Sequence, residues 1–447
     1  MRDLFVRWRY VFHVLCWIML FRTPTLTEAH QEYSTRRGSG GLRLLEPHLT
    51  LSSTSSSLAV VDEGIDAAAA EVNHPEHNQC SRIDMSLFEK GMKCGEPLSD
   101  PCFDFGRCPE GSFGIYVYDA NCSLRDSSAL LALDSEPQDS WTIERDHAYI
   151  SGIVRDVISD AGLLAETYES ACFFVQGSSS SHGYTPCAVD QPLWNGGSNH
   201  LLFDISDKGR NKRPSVANSY AMEAASNMRT CFYRDGYDIS IPLAPKHVFP
   251  DLAIVSPLDR EFFLTTKGSV YLSLHGSEER KSLVPLHDEE SGVIMSMHCF
   301  EHHDEHLLPQ NLEYCASLKA HYNDYGYSNL MNTTFGLVPS GRSPGTYRLG
   351  EVMSAGSIPV FIGRDIVLPF ARQFDWSSFS FVFSPAEVGP EMMDTLRAVP
   401  REMLEKMQRK SLEVYREIFG TEANDFRPIA HRAVNILLRR VGRGRWR

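Results

Sequence analysis

One stretch of this sequence constrains the fold more than any other: from Asn332 to Gly363 it reads as strand, loop, helix, strand. Phe335-Gly336-Leu337-Val338 is a short apolar run of the kind that forms a buried strand. The loop Pro339-Ser340-Gly341-Arg342 leads to Ser343, a helix N-cap by type, and to Pro344 as the first helical residue. Gly345 keeps the helix start slim, Thr346 to Ser354 form the helix, Gly356 closes it, and Ile358 to Ile362 form the next strand. Such a crossover belongs to an α/β protein built on parallel strands.

Similar units recur along the chain. Gly114 to Tyr118, Cys172 to Val175 and His200 to Phe203 read as buried strands, and a second set begins near Asp251 with Phe262-Phe263-Leu264 and Val293-Ile294-Met295. The predicted organisation is two lobes, 80–250 and 251–420, with a ligand cleft between them. From Arg401 to Phe419 apolar residues at Met403, Leu404, Met407, Val414, Tyr415, Ile418 and Phe419 mark a packing helix that stops at Gly420. Residues 421–447 are expected to be a C-terminal helix and a solvated basic tail carrying Arg439, Arg440, Arg443, Arg445 and Arg447.

The 447 residues, 42% of them hydrophobic, suffice for about two or three domains with large cores. With 43 basic and 57 acidic residues the net charge is −14, so no global field attracts nucleic acid, and an anion must be met by local arginines. Arg2, Arg7 and Arg9 precede a 12-residue apolar run, Tyr10 to Phe21, closed by Arg22. Residues 1–22 therefore read as a signal peptide or a short signal-anchor, the run being shorter than the roughly 20 residues a spanning helix needs. Residues 23–79, with Gly38-Ser39-Gly40-Gly41 and the serine tract Ser52 to Ser57, form a flexible stem. Of eleven cysteines, one (Cys16) lies in the targeting segment, leaving ten that fit an oxidising compartment. Cys299 with Cys315 and Cys108 with Cys172 are the first disulfides to test. Asn121 and Asn332 head N-glycosylation sequons.

The loop at 339–342 and the helix after it can present backbone N–H groups and a positive dipole end to an anion, and a diphosphate suits such a place. Arg342 lies in the loop, Arg348 in the first turns of the helix, and Glu351 follows on the same face. Arg348 offers paired donors to phosphate, and an ionised Glu351 accepts from ribose hydroxyls. The bland alternative is an i, i+3 ion pair on a buried helix; the loop in front of it favours the ligand site.

These residues resemble the exostosin-like glycosyltransferases, which include the heparan sulfate polymerase subunits. The similarity is carried by Phe335 to Arg342, Gly345-Thr346-Tyr347-Arg348, Glu351, Ala355 to Val360, Leu368-Pro369-Phe370 and Asp375-Trp376. Cys102-Phe103-Asp104-Phe105 with Cys108, Tyr116-Val117-Tyr118, Leu193-Trp194-Asn195, Asn199-His200-Leu201, Asp238 to Pro242 and Lys267-Gly268 followed by Arg280 extend it from about Cys94 to Phe419. The resemblance implies a GT-B fold of two Rossmann-like lobes, with 80–250 on the acceptor side and 251–420 holding the nucleotide sugar. It also implies inverting transfer from a UDP-sugar, glucuronic acid first among candidates, to a glycan or proteoglycan-type acceptor, with no tightly bound metal or cofactor. Ser340, Gly341, Arg342, Arg348, Glu351 and Arg280 would bind the donor, and His200 or Asp238 would supply the base. The expected setting is the Golgi or ER lumen, as a type II membrane protein or, after cleavage, secreted, in a homo- or hetero-oligomer with another exostosin-like subunit.

Two departures stand out. Heparan glucuronosyltransferase subunits carry a second basic residue where this chain has Ser343, which leaves galactose, xylose or arabinose open as the donor sugar. They also carry a second transferase domain, without which one chain is expected not to alternate two sugars. The rival from another class is a catalytically silent partner of a polymerase subunit, against which Arg348 and Glu351 argue. His302-His303-Asp304-Glu305-His306 lacks zinc-site spacing and reads as a polar loop, and Gly177 to His182 lacks a hydrolase elbow.

Overall fold

The computed structural model describes residues 94, 102–108, 113–119, 143–178, 188, 191–205, 219–272, 277–300, 306–341 and 343–445. The targeting segment, the stem, Asn121, the histidine run at 302–305 and Arg342 lie outside these residues.

Strands β1 (Ile115–Val117), β2 (Phe173–Ser178), β3 (His200–Asp204), β4 (Met222–Ala225) and β5 (Ile239–Ser240) form one parallel sheet in sequence order. Strands β6 (Phe262–Val270), β7 (Val293–Cys299), β8 (Thr333–Pro339), β9 (Ile358–Ile362) and β10 (Phe381–Phe383) form a second, in the order β10-β9-β8-β6-β7, again all parallel. This is the expected α/β architecture of two lobes, each built on a parallel sheet, the first running in sequence order and the second doubly wound. Parallel strands are covered on both faces and so need unbroken apolar runs. Every residue of β3, β8 and β9 is buried.

Helix α1 (Ile143–Asp160) buries Ile150, Ile153, Val154, Val157 and Ile158, the spacing of one helical face, and packs on β2. The second lobe contributes α2 (Ser277–Lys281), α3 (Pro309–Tyr322), α4 (Arg348–Ser354), α5 (Pro390–Arg397) and α6 (Arg401–Phe419). Helix α6 buries the expected stripe, except that Met403 is 44% exposed, and it ends at Gly420, whose φ of +71° suits glycine. Helix α7 (Arg427–Arg445) then packs on α1 of the first lobe. Arg440, read from the sequence as part of a solvated tail, instead donates to the carbonyls of Tyr237 and Asp238. The apolar face of α7 runs on through Leu437 and Val441, and this carries Arg440 inward.

Cys108 pairs with Cys172 and Cys299 with Cys315, as anticipated, and Cys94 pairs with Cys102. Asn332 sits just before β8 and is partly buried: its backbone carbonyl accepts from Phe262 N, its Oδ1 is buried, and the hydroxyl of Thr334, two residues on, donates to Pro257 O at 2.6 Å.

Helix α4 lies very close to β8: a Cβ on Gly336 would come within 2.5 Å of the Val352 side chain. Gly336→Ala should therefore lower the unfolding free energy by about 1–3 kcal/mol in urea titrations. An unchanged midpoint would contradict this packing.

Candidate functional site

In the second sheet the chain lays β7 on one side of β6 and then β8 on the other, so the topological switch falls between β6 and β8. Ligands of open α/β sheets bind outside the carboxyl ends of strands at such a point. The ladder shows why there is room. Pairing of β6 with β8 ends at Thr265 and Gly336, while β6 stays paired to β7 through Val270 and β8 to β9 through Pro339. Beyond Thr265 the two strands part.

Buried carbonyls along a split need donors. Two arginines supply them. Arg348, the first residue of α4 and 6% exposed, donates from Nε to Leu337 O at 2.7 Å and from Nη2 to Thr265 O at 3.2 Å. Arg280 from α2 donates from Nε to Ser340 O at 3.2 Å and from Nη1 to Ser269 O at 2.9 Å. Arg348 thus bridges β8 to β6, and Arg280 bridges the residue just after β8 to β6 further along. Arg280 lies against Gly268 and Gly341, where an added Cβ would stand 3.1 and 3.2 Å from its Nη atoms, and over the Tyr271 ring at 5.2 Å.

A guanidinium has five N–H groups, and these bonds leave donors over on both arginines. Neither forms an ion pair among the described residues. Burial foremost, and also the neighbouring charge of Arg348, lower the pKa of Arg280 below the usual guanidinium value. A guanidinium is a cation throughout the neutral range. Two like charges held close without a carboxylate between them create a place for an anion. Glu351, 3% exposed, accepts a hydrogen bond from Tyr327 Oη, which in turn accepts from Arg348 Nη1 at 3.5 Å. The i, i+3 pair predicted from sequence is therefore linked through a phenol.

Other expectations fare differently. The helix starts at Arg348, after Thr346, and Ser343 does not cap it: the Ser343 hydroxyl is fully buried and donates to Gly345 O at 3.4 Å, while Thr346 Oγ1 accepts from Arg348 N at 3.3 Å. The cause is a close approach of the lobes, since a Cβ on Gly345 would stand 2.4 Å from the Ser226 carbonyl oxygen. The Ser340 and Gly341 N–H groups are spent on Ile362 O at 2.8 Å and Ser343 O at 3.0 Å. Among the described residues of this loop, what remains to meet an anion is therefore the arginine side chains, the Ser340 and Gly341 amides being taken.

The two base candidates lie elsewhere. His200 is the first residue of β3, at the end of the strand opposite the carboxyl edge, and only 2% exposed. Its Nδ1 donates to Ser198 O at 2.9 Å, its Nε2 accepts from Tyr118 Oη at 3.2 Å, and its ring stacks on Phe174 with centroids 5.0 Å apart. Asp238 precedes β5 and has both oxygens occupied, by Arg234 side-chain donors at 2.7 and 2.8 Å and by the backbone N–H groups of Glu223 and Arg234. Both are structural as held here. Among the described residues no group of three or more His, Cys, Asp and Glu side chains is arranged to hold a metal ion. Burial pushes His200 down from 6.5 to about 4, so the unfolded chain takes up a proton there that the fold refuses. Stability should fall by about 3 kcal/mol as pH drops from roughly 6.5 to 4, and pH-dependent urea titrations of His200→Phe should show a shallower decline.

The lobes are joined by main-chain bonds: Thr230 N to Asp365 O at 2.9 Å, Val367 N to Met228 O at 3.2 Å and Phe370 N to Ser240 O at 2.8 Å. Beside them Ser226, Ser240, Pro344, Gly345, Thr346 and Ile366 line a cavity of about 30 Å³. The two arginines, the Glu351–Tyr327 pair and this junction all lie on or next to the segment from β8 to β9.

That segment falls inside the part of the chain, residues 109–399, that matches the Exostosin GT47 domain family model. Exostosin-1 of Drosophila melanogaster is 28% identical over 372 residues, covering 77% of this chain and 46% of its own. Exostosin-2 of Bos taurus is 28% identical over 324 residues, covering 69% and 42%. The chain thus spans less than half the length of these curated relatives. Among solved structures, a glycosyltransferase from Rickettsia africae ESF-5 aligns over 69% of this chain and 84% of its own, with 11% identity and a TM-score of 0.38. With the family model covering well over half of its residues, the chain belongs to the Exostosin GT47 domain family.

Proposed function

We propose that this protein is an inverting glycosyltransferase that moves a sugar from a UDP-sugar to a glycan acceptor. The observation that carries the reading is the pair of arginines across the β6/β8 split, with donors to spare and, among the described residues, no carboxylate ion-pair partner. A diphosphate is the leaving group such a pair suits, because charge grows on its oxygens as the glycosidic bond breaks. In this reading Arg280 and Arg348 hold the diphosphate, and Glu351 accepts from the ribose hydroxyls. The acceptor hydroxyl attacks the anomeric carbon from the face opposite UDP and gives its proton to a base on the first lobe, with His200 and Asp238 already committed to the protein. Glucuronic acid is the first donor sugar to assay, followed by galactose, xylose and arabinose.

The three disulfides among the described residues support an oxidising compartment, and with the basic-flanked apolar run at the N-terminus we place the protein in the Golgi or ER lumen. Among the described residues no helix is long and apolar enough to cross a membrane; the run itself lies outside them. Association with a second exostosin-like subunit is part of the proposal.

Calorimetric titration with UDP, and transfer assays over a panel of UDP-sugars, test the reading. Arg280→Ala should weaken UDP binding roughly 10- to 100-fold, the worth of a charge-assisted contact, with a melting curve alongside to show that the fold survives. No binding of UDP by the wild-type chain would sink the donor site. Binding without turnover on any donor would identify the silent-partner alternative.

A further inference from the structure

Tyr327 lies on the loop between α3 and β8, in a polar stretch that carries no motif of its own. Its hydroxyl donates to Glu351 Oε2 and accepts from Arg348 Nη1. The guanidinium carbon of Arg348 lies 5.8 Å from the centre of the ring, and His247 and Phe249 stand beside the same ring at 5.9 and 6.5 Å. Among the described residues no group donates to the other oxygen of Glu351, Oε1. Glu351 as a whole is 3% exposed, yet Oε1 is not one of the fully buried atoms left without a partner, so it faces accessible space where a ligand hydroxyl can reach it.

The loop that carries Tyr327 is itself tied down from the sheet. Lys267 of β6 donates through Nζ to the carbonyls of Tyr322 and Tyr325, the latter at 2.9 Å, and to Ser296 Oγ at 3.1 Å. Its charge sits 3.7 Å from the centre of the Tyr322 ring. Tyr327 is thereby held from the sheet on one side and by His247 and Phe249 on the other, and its phenol sets the orientation of Glu351.

We propose that Tyr327 is a positioning residue for the donor: by holding Oε2 of Glu351 it turns Oε1 toward the vicinal ribose hydroxyls of the nucleotide. This rests on reading the β6/β8 split as the donor site. It separates the duties of the two side chains on α4, with Arg348 serving the diphosphate whether or not the phenol is present and Glu351 serving the ribose only when the phenol holds it.

Titration of the full chain and of Tyr327→Phe with UDP, 2′,3′-dideoxy-UDP and inorganic pyrophosphate tests this. The expected result is a loss of roughly tenfold for UDP in the variant, with the affinities for dideoxy-UDP and pyrophosphate unchanged. A merely structural phenol would weaken all three ligands alike or none, and either outcome overturns the proposal while leaving the donor site in place. Failure of the wild-type chain to bind either UDP or pyrophosphate overturns both.

Discussion

Past Thr265 and Gly336, β6 and β8 no longer exchange backbone hydrogen bonds, and much about this site follows from that parting. Polar main-chain groups away from water must find partners, at a penalty of about 1–3 kcal/mol each when they do not. Here the partners of Thr265, Leu337, Ser269 and Ser340 are guanidinium groups. A sheet that opens to admit a ligand would otherwise expose a row of unsatisfied carbonyls. The arginines satisfy those carbonyls and still keep N–H donors that the carbonyls do not use. The glycines at 268 and 341 belong to the same solution, because the Arg280 guanidinium occupies the space their side chains would take.

Much of the architecture could be read in the sequence because it depends on local pattern. The strands that became β8 and β9, the glycine ends of α4 and α6, and the alternation of strand and helix are all encoded within short windows. What escaped was decided between distant residues. The helix start was misplaced because Gly345 is fixed by Ser226 of the other lobe, over a hundred residues earlier in the chain. His200 and Asp238 looked like bases because a lone imidazole and a lone carboxylate carry no sign of their partners. One is held by Tyr118 and Ser198, the other by Arg234, and the i, i+4 spacing of Arg234 and Asp238 was the sole local hint. Tyr327 had no local signal at all: its neighbours on the site come from the linker after β5 and from α4.

The link between the lobes has a physical character of its own. The contacts nearest the site are hydrogen bonds between main-chain atoms, and the C-terminal helix returns to pack on the first lobe with Arg440 reaching Tyr237 and Asp238. Main-chain bonds are indifferent to side-chain identity, but Ser240 Oγ and Arg229 Nη1 also donate across this junction, to Val367 O and Arg364 O at 2.8 Å each, so it draws on sequence as well as geometry. At Gly345 and at Gly350, where an added Cβ would lie 2.9 Å from Pro245, the constraint does reach the sequence, because only the smallest residue permits the approach.

The double duty of Arg280 and Arg348 also bears on how descent should be read. A copy of this fold that had given up sugar transfer would still have a sheet that parts at the same place, and it would still need two cations to quiet the exposed carbonyls. Those arginines would outlive the activity, as mortar outlives the use of a room. Working and retired members of such a lineage are better told apart at Glu351, whose open oxygen serves no carbonyl and has no task in an empty site.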